Sequence, residues 1–522
     1  MWIARLALAG IAITVGSAAE AAKPDCSKDF NPTVRFPAGV EITGAVVVPA
    51  AAPGTVQPSA SRPPLAVALP AYCKISGVIN SRVGAAGRTY GVRFELALPD
   101  DWNGRLLFQG GGGTNGVINP PIGAQATGDR PAISRGFAVV ATDGGHKSER
   151  GFDFSFSADQ QAALDFAHAS VGTTTVVAKQ IVAAHYGKAA HHSYIVGCST
   201  GGREAMLAAE RYPDLFDGVV SGAPAMRTGF SNITTNYITV TFNQAAARDS
   251  QGRPTALFSQ ADKKLILTAM LDDCDALDGL KDGVIAKFGA CHFSPARIAC
   301  KGGKDANCLS AAQVRALEAA FIPPRDAGGA VIYPSFPWDT GIVSEGPGIP
   351  GILTTGVATP LGPANAALTI DLDQRAQAAR GDPIQMLSDT STWTNLSTFL
   401  DRGGKIIWYH GTSDPWFSPL DTQSYFERAA KVNGARWNAS ARLYMVPGAG
   451  HCGGGANTFD QFDLLTPVVD WVEHGTAPAG VPAHRNVPTP ADRPLCPWPS
   501  YPRYRGAGDV DRLESFECAS AD

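Results

Sequence analysis

Ser193-Tyr194-Ile195-Val196-Gly197-Cys198-Ser199-Thr200-Gly201-Gly202-Arg203 is the stretch on which the fold turns. An apolar run leads straight into a Gly-x-Ser-x-Gly match, and a helix-like stretch over 202–211 follows. Strand, sharp turn and helix are what a nucleophile elbow requires. The glycines at 197 and 201 permit the turn. It would lift the Ser199 hydroxyl out of the sheet and aim the Thr200 N–H at a forming oxyanion. A plain Gly-rich strand-to-helix turn is the alternative reading. In a chain with 57 glycines the motif alone carries little weight. Its flanking strand and helix carry the reading.

Working outward, the same alternation continues. Residues 102–109 and 136–143 read as buried strands, and 159–186 has helical spacing of apolar residues (Ala162, Phe166, Val171, Val176, Ile181). Residues 217–222 read as a further strand. The alternation then stops until 404–411 and 441–446. Strands separated by helices argue for an α/β fold with a mostly parallel sheet and flanking helices. The interruption, rich in Gly and Pro and holding four cysteines, reads as a large inserted lid over the strand ends, where α/β sites sit. Expected boundaries are 1–22 for a signal peptide, 23–226 and 396–522 for the two parts of the core, and 227–395 for the lid. No internal repeat is evident.

Serine needs a base, and the base needs an orienting carboxylate. Asp414 and His451 each follow one of the two late strands, so Ser199, Asp414 and His451 can meet at one sheet edge. That chain order is the α/β-hydrolase order. Asp143, after an earlier strand, is the runner-up acid. His146, His191 and His192 fit the order less well. His410 could line the pocket, with a structural hydrogen bond as its plain alternative. The run Gly110–Gly113 follows a strand. Its N–H groups, Gly112 and Gly113 foremost, could complete an oxyanion hole with Thr200, as in Gly-rich hydrolase loops.

Bulk properties narrow the classes. The 522 residues allow one large domain with an insertion, or two domains. The net charge of −4 and the lack of a basic stripe speak against nucleic-acid binding. The N-terminus carries Arg5, an apolar run from Leu6 to Val15, and small residues before Ala22. It reads as a cleaved secretory signal, too short to span a bilayer. No later stretch is apolar enough to span, so secreted or periplasmic export is expected. Ten cysteines without a C-x-x-C pair point to disulfides rather than a zinc ribbon. Cys198 and Cys452 flank Ser199 and His451; if they pair, one bond pins nucleophile to base. Within the lid, Asp275, Asp278 and Asp282 lie in one Gly-bearing loop, a donor set suited to calcium. A solvated acidic turn is the alternative. Nothing specifies an oligomeric state.

These residues resemble the tannase and feruloyl esterase family over nearly the whole mature chain. The elements that carry the resemblance are Cys198-Ser199, Asp414, His451-Cys452, the elbow 197–204 and the loop 110–116. The resemblance implies a serine esterase acting on small-molecule aromatic esters of feruloyl or galloyl type through an acyl-enzyme. It implies a calcium site made by the side chains of Asp275, Asp278 and Asp282 and the carbonyls of Leu280 and Val284. It also implies the pairs Cys26–Cys73, Cys198–Cys452, Cys274–Cys291, Cys300–Cys308 and Cys496–Cys518. Phe417, three residues past Asp414, holds the position that can wall the aromatic-acid pocket. The chain departs from the family over 338–392. No lid arginine is placed there for a free carboxylate, and Arg375 reads as solvated. A terephthalate monoester hydrolase, a lipase or peptidase, and an inactive binding protein on the same fold are the competing readings.

Overall fold

The computed structural model describes residues 25–27, 36–59, 62–149, 151–344, 351–353 and 366–520. The expected signal peptide lies outside them. A nine-stranded sheet runs in the order β1-β2-β3-β5-β4-β6-β7-β8-β9. β1 (Val40–Val48), β2 (Tyr72–Val83) and β3 (Thr89–Pro99) form an antiparallel wing, which joins antiparallel to β5. β4 (Arg105–Gln109), β5 (Ala138–Thr142), β6 (His192–Cys198), β7 (Gly218–Gly222), β8 (Lys405–Gly411) and β9 (Ala441–Val446) are parallel.

Helices cover both faces, so the parallel strands are buried almost end to end rather than at alternate residues. In β6 the pleat sends Ile195 into one core, with Val177 and Ile181 of α1 (Ser170–Tyr186) and Met206 of α2 (Thr200–Arg211). Tyr194 and Val196 enter the opposite core, with Val468 and Trp471 of a C-terminal helix, Leu465–His474. The expected helix over 159–186 is broken by a π-turn at Asp165–Ala169.

Between β7 and β8, the described residues of 223–404 add no strand to the main sheet. Their longer helices are α3 (Thr228–Ala245), α4 (Gln260–Cys274), α5 (Ala311–Ala320) and α6 (Leu372–Gly381). Ser259 and Ser310 cap α4 and α5 with reciprocal capping boxes, which explains where those helices begin. After β8 comes α7 (Pro419–Asn433). All ten cysteines are paired: Cys26–Cys73, Cys198–Cys452, Cys274–Cys291, Cys300–Cys308 and Cys496–Cys518.

Two of these bridges should differ in how far they stabilise the fold. Cys198–Cys452 spans 254 residues and Cys496–Cys518 spans 22. Loop-closure entropy assigns about 5 kcal/mol to the first and about 3 kcal/mol to the second. Replacing each pair by alanine should therefore lower the melting temperature more for Cys198/Cys452. Equal losses in thermal melts of the two double variants would refute that ranking.

Candidate active site

The strand order reverses at β4: β5 lies on one side and β6 on the other. Ligands of open α/β sheets bind at such a switch point, beyond the carboxyl ends of the strands. β4 ends at Gln109 and leads into Gly110–Gly113; β6 ends at Cys198 and leads into Ser199. The topology thus sets the glycine run beside the candidate nucleophile. Ser199 has φ 63° and ψ −123°, a conformation that costs a non-glycine residue about 1–3 kcal/mol. Backbone bonds hold it there. Its N–H donates to Gly222 O at 3.0 Å, and its carbonyl accepts from Arg203 N and Ala225 N at 3.0 Å each. Gly197 and Gly201 are needed for space. A Cβ on Gly197 would lie 2.3 Å from Gly201 O, and one on Gly201 would lie 2.6 Å from Gly111 O.

Asp414 and His451 meet. His451 Nδ1 lies 2.7 Å from Asp414 Oδ2, and both side chains are buried. His451 Nε2 is buried and has no hydrogen-bond partner. A ring held by one nitrogen with the other free is the arrangement a general base needs. The Cys198–Cys452 bridge, with Cα atoms 5.9 Å apart, joins the residue before Ser199 to the residue after His451. Burial alone would raise the Asp414 carboxyl. The charge of His451 and hydrogen bonds from His410 and His451 outweigh it and hold the group well below the usual carboxylate range.

His410 stands elsewhere than its pocket expectation. It is fully buried behind Asp414, with Nε2 3.2 Å from Asp414 Oδ2 and 3.0 Å from Phe417 O, and Nδ1 2.8 Å from Thr422 Oγ1. Strand alternation explains the difference. Its neighbour Tyr409 belongs to the opposite core, so His410 points under α7 rather than toward the cleft.

The glycine run is held by a residue to which sequence reasoning gave no role. Glu204, in the first turns of α2, is buried; Gly111 N donates to its Oε2 at 2.8 Å and Asn115 Nδ2 to its Oε1 at 2.7 Å. Burial raises its carboxyl, and those two donors oppose the shift. Gly110 N donates to Val196 O. Within the run this leaves the N–H groups of Gly112 and Gly113 without a protein acceptor among the described residues. Gly113 also accepts a short hydrogen bond from the Thr200 hydroxyl. Gly113, Thr200 and Ser199 all border one cleft, whereas Gly112 is exposed beyond its lining.

That cleft encloses about 1230 Å³, solvent at its mouth included. One wall is aromatic: Phe152, Phe154, Phe166, Trp416 and Phe417. Trp416 and Phe417 also pack on the His451 ring, with centroids 4.8 and 5.3 Å away. A further part of the lining is polar and uncharged: Thr228, Ser231, Asn232, Thr235 and Thr239 of α3. That i, i+3, i+4, i+7, i+11 spacing is legible in the sequence as a polar helical stripe. Arg203, the cation on the lining, is 2% exposed. Its guanidinium donates to the carbonyls of Phe166 and Ala167 and lies over the Phe166 ring. Arg375 is exposed on α6, away from the lining.

The other candidates are engaged elsewhere. Asp143 is bonded to Arg93 through Nε at 2.6 Å, and burial, opposed by that arginine, pushes it up to about 6. His146 is buried and stacked on Phe156. His191 and His192 sit at the far end of β6. With Glu473 they form the one His, Cys, Asp or Glu trio, among the described residues, whose ligand atoms lie within 4.8 Å of one another. Both oxygens of Glu473 are already taken by Arg105, at 2.6 Å each. In the acidic loop, Asp275 accepts from the N–H groups of Asp282 and Gly283, and Asp278 from Leu280 N. Asp282 turns one oxygen to Arg493 at 2.8 Å, so the three carboxylates do not close to that 4.8 Å spacing. Burial pushes Asp278 up to about 7, and the charges of Asp282 and Asp275 push the same way. Buried acids that repel one another are a donor set a hard cation would relieve. Asp278, Asp282 and Val284 line a small cavity there.

Comparison with known proteins agrees with this geometry. The model of the family described as tannase and feruloyl esterase matches residues 73–367 and 364–519. The mono(2-hydroxyethyl) terephthalate hydrolase of Piscinibacter sakaiensis is 37% identical, covering 94% of this chain and 91% of that protein. A probable feruloyl esterase B-2 of Aspergillus terreus is 29% identical over 82% of this chain and 83% of its own. The crystal structure of feruloyl esterase B from Aspergillus oryzae superposes with a TM-score of 0.75 at 25% identity, covering 93% of this chain and 98% of that one. The tannin acyl hydrolase of Aspergillus niger shares the fold at a TM-score of 0.67 and 23% identity, covering 94% of this chain and 93% of its own. The chain belongs to the tannase and feruloyl esterase family and is an esterase built on an α/β-hydrolase sheet.

Proposed function

We propose that this esterase cleaves esters of aromatic acids through a Ser199–His451–Asp414 triad and an acyl-enzyme. The observation that carries the reading is the buried His451, bonded to Asp414 on one side and unbonded on the other, tethered by a disulfide to the Ser199 elbow. Ser199 attacks the ester carbonyl as His451 Nε2 takes its proton. His451 returns that proton to the leaving alcohol, and water repeats the cycle on the acyl-enzyme. Asp414 keeps the proton-bearing Nδ1 toward itself and stabilises the imidazolium. The N–H groups of Thr200 and Gly113 face the developing oxyanion, with Gly112 beside them. Phe417 and Trp416 flank the acyl ring.

A lining that combines aromatic rings with hydroxyl and amide groups suits a ring bearing neutral polar substituents, as in hydroxycinnamates and gallates. A terephthalate monoester is the second reading, favoured by the 37% identity to a hydrolase of that substrate. It needs a cation for the free carboxylate, and Arg203 already serves two backbone carbonyls. Export to the periplasm or medium fits the five disulfides and the N-terminal signal pattern, and among the described residues no helix is long and apolar enough to cross a membrane. Calcium is proposed on the side chains of Asp275, Asp278 and Asp282 and the carbonyls of Leu280 and Val284. When bound it supplies a structural cross-link, and no step of the reaction passes through it.

Three experiments test these roles. Wild type should hydrolyse methyl ferulate and methyl gallate faster than a terephthalate monoester. Ser199→Ala should lower kcat by at least about 10⁴-fold and abolish fluorophosphonate labelling. Residual turnover equal to wild type would remove Ser199 from the mechanism, and a preference for the monoester would favour the second reading. Glu204→Gln sets an amide donor against the N–H of Gly111 or the amide of Asn115. It should cut kcat by about 10- to 100-fold with KM nearly unchanged; a rise confined to KM would assign Glu204 to substrate binding instead. Chelation with EGTA should lower the melting temperature of wild type but not of Asp278→Asn, with kcat of the folded enzyme unchanged. A wild-type melt indifferent to chelator and to added calcium would exclude the cation.

A further inference from the structure

Asp339 is a fully enclosed carboxylate outside the triad. It comes from the insertion, not from the sheet, and is 0% exposed. Among the described residues no lysine or arginine pairs with it; its charge is met by uncharged donors. Thr340 N reaches Oδ1 at 2.7 Å, and the Thr412 hydroxyl makes a short bond to Oδ2. The Ser413 hydroxyl reaches Oδ2 at 2.8 Å and Gly448 N reaches it at 2.9 Å.

The identity of those donors is what matters. Thr412 and Ser413 immediately precede Asp414 on the loop after β8. Gly448 lies three residues before His451 on the loop after β9. One oxygen, Oδ2, therefore gathers both loops. Around it the loops also bond directly: Thr412 N to Val446 O at 3.0 Å, Ser413 N to Ala449 O at 2.9 Å, and Gly448 N to Thr412 Oγ1 at 3.0 Å. The backbone beside Asp339 adds a further tie, from Gly341 N to Ser413 Oγ at 2.9 Å. Burying an ion without a counter-ion is a poor way to gain stability, because desolvation opposes the whole gain. A neutral residue of the same size would serve a merely structural core. A carboxylate accepting from two loops at once fixes their separation, and that separation sets the Asp414–His451 contact.

We propose that Asp339 is a positioning residue: its carboxylate clamps the acid loop at Thr412–Ser413 to the base loop at Gly448, and so holds Asp414 and His451 in register. The inference rests on the triad reading above. It also gives the insertion a part in assembling the catalytic groups, in addition to walling the cleft.

The test compares Asp339→Asn and the milder Thr412→Val with a control, Asp262→Asn. Asp262 is a buried carboxylate of the same insertion, 4% exposed, whose partners are Ser259, Lys304 and Gln313 and which touches neither loop. Amide hydrogen exchange is followed over 412–417 and 447–452, alongside kcat and KM on an ester that wild type cleaves. Asp339→Asn should speed exchange in both loops together and lower kcat by about 10- to 100-fold, with KM within about threefold. Thr412→Val should move the same readouts in the same direction by less, and it carries the test if Asp339→Asn does not fold. The control should lose melting temperature while loop exchange and kcat stay at wild-type values. Wild-type loop exchange in both test variants, or an equal kcat loss in the control, overturns the clamp. If the triad reading itself fails, wild type does not label at Ser199 and Ser199→Ala keeps its turnover, yet the exchange measurement still decides whether Asp339 joins the loops.

Discussion

The 2.7 Å contact between His451 Nδ1 and Asp414 Oδ2 is the interaction to which the rest of the site answers. An imidazole can shuttle a proton only if one nitrogen is held and the other is left free. Holding it requires an ionised carboxylate away from water, and such a group must have its lone pairs met. Asp414 has them met. Oδ2 takes His451 and His410; Oδ1 takes the N–H groups of Trp416 at 2.8 Å and Phe417 at 3.1 Å. The turn after Asp414 thus does two jobs. Its N–H groups stabilise the acid, and its side chains, Trp416 and Phe417, face the cleft. A change in that turn would alter charge stabilisation and pocket shape together.

Three segments remote in sequence must converge for that contact to be useful, and several forces bring them together. Hydrophobic burial on both faces aligns β6, β8 and β9, which puts the elbow and the two loops at one end of the sheet. Backbone-to-backbone packing, possible only with glycine at 197 and 201, seats the elbow against the Gly110–Gly113 run. The Cys198–Cys452 bridge adds a covalent tie between the elbow and the base loop. Ser199 makes no hydrogen bond to His451 in the described contacts, and apo sites often tighten that contact only with substrate bound.

What the sequence disclosed follows the range of the signal. The parallel strands, the elbow and the order Ser–Asp–His were legible because each depends on neighbours a few residues apart. The pairing of the antiparallel wing β1–β3 was not legible, since register depends on partners far along the chain. His410 was misplaced because its distance from Asp414, four residues, says nothing about which face of β8 it leaves. Glu204 stood in plain view in the elbow motif, yet its role needs Gly111, 93 residues away, to be brought next to it. The role of Asp339 is not legible locally, since its partners on the acid and base loops are 73 to 109 residues distant. The acidic loop shows the opposite limit. Its spacing suits a hard cation, while the turn of Asp282 toward Arg493 is a tertiary fact.

The insertion also separates specificity from catalysis in a particular way. The polar wall of the cleft lies on α3, whose start is anchored by Arg227 to the buried Asp421 of α7, with guanidinium Nε 3.1 Å from each carboxylate oxygen. A helix anchored at its end can change side chains on its cleft-lining face without moving its backbone. The segment around Asp339 has no such freedom. It reaches the loops through Asp339 and the Gly341 N–H, and a Cβ on Gly341 would lie 2.4 Å from Ser413 Cβ. Substrate range can therefore drift through Asn232, Thr235 and Thr239, while Ser231 is tied to Trp416 O and the stretch from Asp339 to Gly341 is bound by the geometry of the acid and base loops. One insertion then carries both a variable wall and a fixed clamp, and the two lie on separate stretches of its chain.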